Sequence, residues 1–223
     1  MSSTSSPRTG ALLVALALAA LACAAPQPET PPPGEVPIDT AETVAPPPAA
    51  APSGVQTSTG YLRWEDLSVR LVGQGPTAGL RIDVTTLDPD AVRLAADDIR
   101  SYLGDQRSRI ADHVPGAEAE RLTAFLVGYT GFEKEVGFDP TRLQIRIEGS
   151  TYYPRTIIPV SPKFDRRVLD LYETVYGIYL FPAGIDLDAT LEFQYGELSS
   201  GSAWRDVVRR VQRARTRRQG DGA

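Results

Sequence analysis

Cysteine and histidine are nearly missing from this chain of 223 residues, which holds one of each, Cys23 and His113. A single cysteine excludes an internal disulfide framework. One Cys and one His exclude a zinc cluster and any catalytic pair drawn from several histidines. Lysine is scarce too: the 23 basic residues comprise 21 Arg and only Lys134 and Lys163. The net charge of −5 argues against a general nucleic-acid binder, which needs an excess of positive charge. No D-x-D-x-D-G calcium loop and no internal repeat of useful length is present. No cofactor motif stands out, and none is expected.

What is present begins with an apolar run at residues 11–22, ALLVALALAALA, behind a polar start with one cation, Arg8. Twelve residues fall short of the roughly 20 that span a bilayer, and they match the length of a signal-peptide core. The run ends Ala20-Leu21-Ala22-Cys23. Small residues before a Cys at this place resemble the lipobox of bacterial lipoproteins, with Ala20 where that family usually carries Leu. The resemblance implies cleavage before Cys23 and lipidation on it. A lone Cys at the end of an export signal fits, because a lipidated Cys is no longer a free thiol. Ala24, in place of Asp, implies sorting to the outer membrane, facing the periplasm. A plain secretory signal cut after Ala22 is the alternative.

Residues 26–52 hold ten of the 19 prolines. The segment 23–58 has no helical or strand periodicity and few large apolar residues. It cannot bury enough surface to offset its ordering entropy, so a disordered tether is expected. Polyproline II extension of about 3.1 Å per residue gives a reach on the order of 100 Å. About 160 residues remain for one core of ordinary size.

From Tyr61 onward apolar and polar residues alternate. Leu80, Ile82 and Val84 interleave with Arg81, Asp83 and Thr85; Leu143, Ile145 and Ile147 with Gln144, Arg146 and Glu148; Leu191, Phe193 and Tyr195 with Glu192 and Gln194. Such alternation predicts half-buried antiparallel strands. Residues 67–71 are a weaker case. Residues 122–129 and 171–181 are apolar on both faces and suit covered, central strands. Between them Asp88-Pro89 reads as an N-cap with Pro at the first helical position. Val92, Ala95, Ile99 and Leu103 then mark one helix face, with Gly104 closing the helix and a second short helical stretch over 105–113.

The segments FLVGYTGFEKEVGFDPTRLQIRIEGSTYYPRTIIPVSP and ETVYGIYLFPAGIDLDATLEFQYG, spanning about residues 122–196, follow a pattern: aliphatic strand, acidic turn, Phe-Asp-Pro, strand to a Gly, Tyr-Tyr-Pro, long loop, strand ending in Phe-Pro. This pattern is similar to immunoglobulin-like sandwich domains of bacterial lipoproteins of uncharacterised function. The expected fold is mainly β, an antiparallel immunoglobulin-like sandwich of six to seven strands over 59–200. A helical segment is inserted at about 89–113, and a basic C-terminal helix or tail occupies 201–223. The resemblance carries no catalytic residue across.

The C-terminal segment has a narrow apolar stripe of Trp204, Val207, Val208 and Val211, followed by charge. Arg205, Arg209, Arg210, Arg213, Arg215, Arg217 and Arg218 with Asp206 give +6 over 205–218, leaving −11 for the rest of a chain whose total is −5. A solvated helix end explains such a tail. Contact with an anionic envelope component also explains it, and arginine can grip phosphate in bidentate fashion. The paired carboxylates Asp97-Asp98 and Asp186-x-Asp188, and the lone His113, read better as solvated surface groups than as a metal or acid–base site. Tyr152, Tyr153, Tyr172, Tyr176 and Tyr179 line a core or a groove, and Tyr176 and Tyr179 cannot share one face of a regular strand. The functional expectation is a lipid-anchored, non-catalytic binding or assembly module of the bacterial envelope. It would be held to the membrane by Cys23 and have an envelope protein or anionic polymer as partner. The alternative is an envelope hydrolase acting on glycan or peptide through acidic residues, recognisable by a deep pocket with raised carboxyl pKa values.

Overall fold

The structure, a computed structural model, describes residues 61–71 and 79–220. The expected signal segment 1–22, Cys23 and the tether 23–58 lie outside the described residues. The described chain is mainly antiparallel sheet and ends in a helix.

The elements run β1 (Ser68–Leu71), β2 (Leu80–Thr86), α1 (Pro89–Val92), α2 (Asp97–Ser108), α3 (Gly116–Ala119), β3 (Thr123–Gly131) and β4 (Val136–Gly137). They continue as β5 (Leu143–Ile147), β6 (Ser150–Tyr152), β7 (Thr156–Pro159), β8 (Val168–Leu169), β9 (Thr174–Phe181), β10 (Glu192–Tyr195), β11 (Leu198–Ser199) and α4 (Trp204–Gly220). One sheet has the order β1-β2-β3-β9-β7, a second β11-β10-β5-β6, and β4 pairs with β8; every pairing is antiparallel.

The alternating segments place their apolar residues inward as the period of two dictates. Leu80, Ile82 and Val84 are buried, with Arg81 and Asp83 half-exposed between them. The two segments apolar on both faces became β3 and β9, which pair over eight residues in the middle of the five-stranded sheet. Phe125 of β3 meets Phe193 of β10 edge-on with ring centroids 5.0 Å apart, and Tyr129 meets Tyr195 at 6.0 Å. The larger sheets therefore share one aromatic core. Trp204 closes it, 5.8 Å from Phe125 and 5.5 Å from Phe193, while its indole N–H donates to the Leu187 carbonyl at 2.8 Å.

Three expectations need correction. Eleven strands are formed among the described residues instead of six or seven; β4, β6, β7, β8 and β11 are two to four residues long, too short to show periodicity. One of these is β6, reached from β5 through Glu148 and Gly149. Both have positive φ, 47° and 86°, as a two-residue hairpin turn requires. Second, the helical segment expected from Pro89 to Gly104 is not one helix. It breaks at residues 93–96, because Leu62 donates its N–H to the Leu94 carbonyl and accepts from the Ala96 N–H. Asp88 caps α1 by accepting from the Ala91 N–H at 2.9 Å. Third, α2 passes through Gly104, whose missing side chain faces open space, and ends at Ser108.

Candidate functional site

The C-terminal helix forms where the sequence placed it. Asp206 lies in its first turn and Arg217 and Arg218 in its last, both favourable to the helix dipole. Trp204, Val207, Val211 and Ala214 are buried, so the apolar stripe runs one turn further than the sequence suggested.

This register divides the seven arginines into two sets. Arg205, Arg209, Arg213 and Arg217 are spaced by four and all exposed, forming one line along the solvent face. At 1.5 Å per residue the line is about 18 Å long. Arg209, Gln212, Arg213, Thr216 and Arg217 border a shallow, open surface on this face. Arg205 donates to the Thr190 hydroxyl at 3.1 Å, and Arg209 pairs with Asp206. That hydrogen bond from Arg209 holds the Asp206 carboxyl below its ordinary pKa. Among the described residues, Arg213 and Arg217 meet no carboxylate.

The second set turns back onto the domain. Arg210 sits 3.3 Å from the Asp66 carboxylate and donates to the Asp66 and Glu65 carbonyls at 3.4 and 3.3 Å. Arg218 donates to the Arg93 carbonyl at 3.3 Å. Arg215, half-buried, borders a small cleft of about 30 Å³ with Asp88, Asp188, Trp204 and Val208. That volume holds about one water. Sequence spacing reveals the row of four. It does not reveal which arginines dock, because Glu65, Asp66 and Arg93 are far away in sequence.

The other candidates separate. His113 is exposed, its Nδ1 3.0 Å from the Arg109 carbonyl oxygen. Asp97 pairs with Arg100 on the first turn of α2, and Asp186 accepts from the Asp188 N–H at 2.9 Å within a turn. Among the described residues no group of three or more His, Cys, Asp or Glu side chains is placed to hold a metal. Tyr179 is buried and Tyr176 lies half-buried on the opposite face of β9, as the odd spacing requires. Tyr153 and Tyr172 are exposed at 59% and 72%, and Tyr152 is half-buried.

Several carboxylates have pKa values moved from the ordinary range, and these are moved down. The Thr141 hydroxyl and N–H lower Asp139, the Asp170 N–H and Lys163 lower Glu173, and the Ser199 hydroxyl lowers Glu192. Hydrogen bonds to the ionised form are the cause in each. A carboxyl acting as general acid needs the opposite shift. No helix among the described residues is long and apolar enough to cross a membrane.

No family model matches the chain, and neither the comparison with curated proteins nor that with solved structures found a match.

Proposed function

We propose that the protein is a lipid-anchored, extracytoplasmic binding or assembly module of the bacterial cell envelope. Acylated Cys23 would hold it at the outer membrane facing the periplasm, and the module itself would be a non-catalytic immunoglobulin-like sandwich. The observation that carries the binding reading is the solvent-facing row Arg205, Arg209, Arg213 and Arg217 on a helix packed to the core by Trp204. An arginine row on an otherwise acidic chain is complementary to an anionic partner. The shared aromatic core of two antiparallel sheets supports the sandwich. The apolar run before Cys23 supports the anchor.

Two measurements test this. Mass analysis of the chain isolated from bacterial membranes should find an N-terminal, acylated Cys23; an unmodified Cys23 in a soluble fraction would sink the anchor. Binding of the full chain to isolated envelope fractions, which hold anionic lipid, polymer and protein alike, should be lost when Arg209, Arg213 and Arg217 are changed to Gln. Binding retained by that variant would move the site elsewhere.

A further inference from the structure

The exposed row on α4 lacks what a protein partner needs. Its neighbours on that face are Gln212 and Thr216, and the exposed large apolar side chains, Tyr61, Phe132, Tyr153, Leu171 and Tyr172, all lie outside α4. Protein interfaces concentrate their affinity in buried aromatic or aliphatic anchors, and this face offers none. It is also shallow and open, without deep walls to select one small anion. Four guanidinium groups in a line about 18 Å long suit many phosphates spread over a surface.

We infer that this row docks on the phosphate headgroups of the bilayer that holds the anchor, laying α4 along the membrane as a reversible, salt-controlled contact. The inference rests on the anchored-module reading for its choice of surface, since an anchor keeps bilayer phosphates close at hand. The arithmetic fits a reversible dock. Each arginine near an anionic surface is worth roughly fivefold in affinity. Asp206 offsets Arg209, so the row carries a net of +3 and gains about a hundredfold, a dissociation constant on the order of 10 mM. Free in solution such a contact is mostly open. Held at the bilayer by the anchor, the row meets phosphates at an effective concentration in the millimolar range, so open and docked forms coexist. Screening then sets the balance, because the Debye length falls from about 30 Å at 0.01 M salt to about 8 Å at 0.15 M. Residues 61–204 hold 22 acidic and 15 basic groups, a net of −7 that the same phosphates repel, which favours approach by the α4 side.

The test uses the processed chain, residues 23–223 with Cys23→Ala, floated with phosphatidylglycerol vesicles or with neutral phosphatidylcholine vesicles at low and high salt. Binding is expected to phosphatidylglycerol alone, to weaken with salt, and to fall on the order of 100-fold when Arg209, Arg213 and Arg217 become Gln. The single change Arg213→Gln should cost roughly fivefold, and changing the three to Lys should retain most binding. Circular dichroism should show all variants folded. Equal flotation of the parent and the Gln variant would overturn the proposal. So would tighter binding to soluble polyphosphate than to vesicles, or a loss with Lys as large as with Gln, which would mark a shaped phosphate clamp. This chain carries no lipid, so an unmodified Cys23 in the cell would defeat the functional reading and leave the vesicle result untouched.

Discussion

The hydroxyls of Tyr129 and Tyr179 meet at 2.6 Å inside the core, where both side chains are fully buried on adjacent central strands. One hydroxyl donates and the other accepts. Burial leaves no water to replace a lost partner. Tyr129→Phe is therefore expected to cost about 1–3 kcal/mol, because the Tyr179 hydroxyl is stranded. The double change to Phe should cost less than the sum of the single changes. Urea denaturation of the four proteins of this cycle measures the coupling.

The same pair predicts alkaline lability. Burial is the main cause that raises both phenols well above the ordinary value near 10. Above pH 10 the unfolded chain releases phenolic protons that the folded chain keeps. Stability is then fully present below about pH 10 and falls as pH rises beyond it. Thermal melts across that range should show a declining Tm. Replacing both tyrosines by Phe should flatten the decline, and an unchanged slope would place the alkaline loss elsewhere.

Gly177 lies against an immovable neighbour. A Cβ there would come within 2.7 Å of the Phe164 ring, itself buried and packed on Phe138 and Tyr129. Gly177→Ala is expected to destabilise by about 1–3 kcal/mol. Gly128→Ala meets the Tyr176 ring at 2.8 Å. That ring is half-buried and can swing outward, so the loss should be smaller. Equal losses in denaturant melts would contradict the packing argument.

Gln106 is buried on α2, and its side-chain carbonyl oxygen has no hydrogen-bond partner. An apolar side chain of similar length removes the orphaned acceptor. Gln106→Met should hold or raise stability by about 1 kcal/mol. A clear loss would mean that the oxygen is satisfied by solvent.

Much of the sheet architecture is legible in the chain because its cause is local. Ile82, Ile145 and Phe193 point inward for the same reason that their neighbours are charged or amide-bearing, and the runs at 122–129 and 171–181 announce covered strands. The mainly antiparallel sheet and the C-terminal helix follow from these patterns. The break between α1 and α2 is not legible, because it is made by Leu62, more than 30 residues earlier. The pairing of Tyr129 with Tyr179 is hidden for the same reason. At the candidate site, spacing by four exposes the arginine row. The turning back of Arg210 depends on Asp66, 144 residues away.

That last separation bears on how the domain is made. Asp66 stands at the first turn of the described chain and Arg210 on its final helix, and Trp204 completes a core begun by Phe125. Contacts between distant parts of a chain impose their loop-closure cost before they stabilise anything, and sheets built this way fold in milliseconds to seconds. The emerging polypeptide cannot seal its interior until its C-terminal segment has been delivered. A chain ending before residue 204 would keep the aromatic faces of Phe125 and Phe193 open, a target for chaperones and proteases.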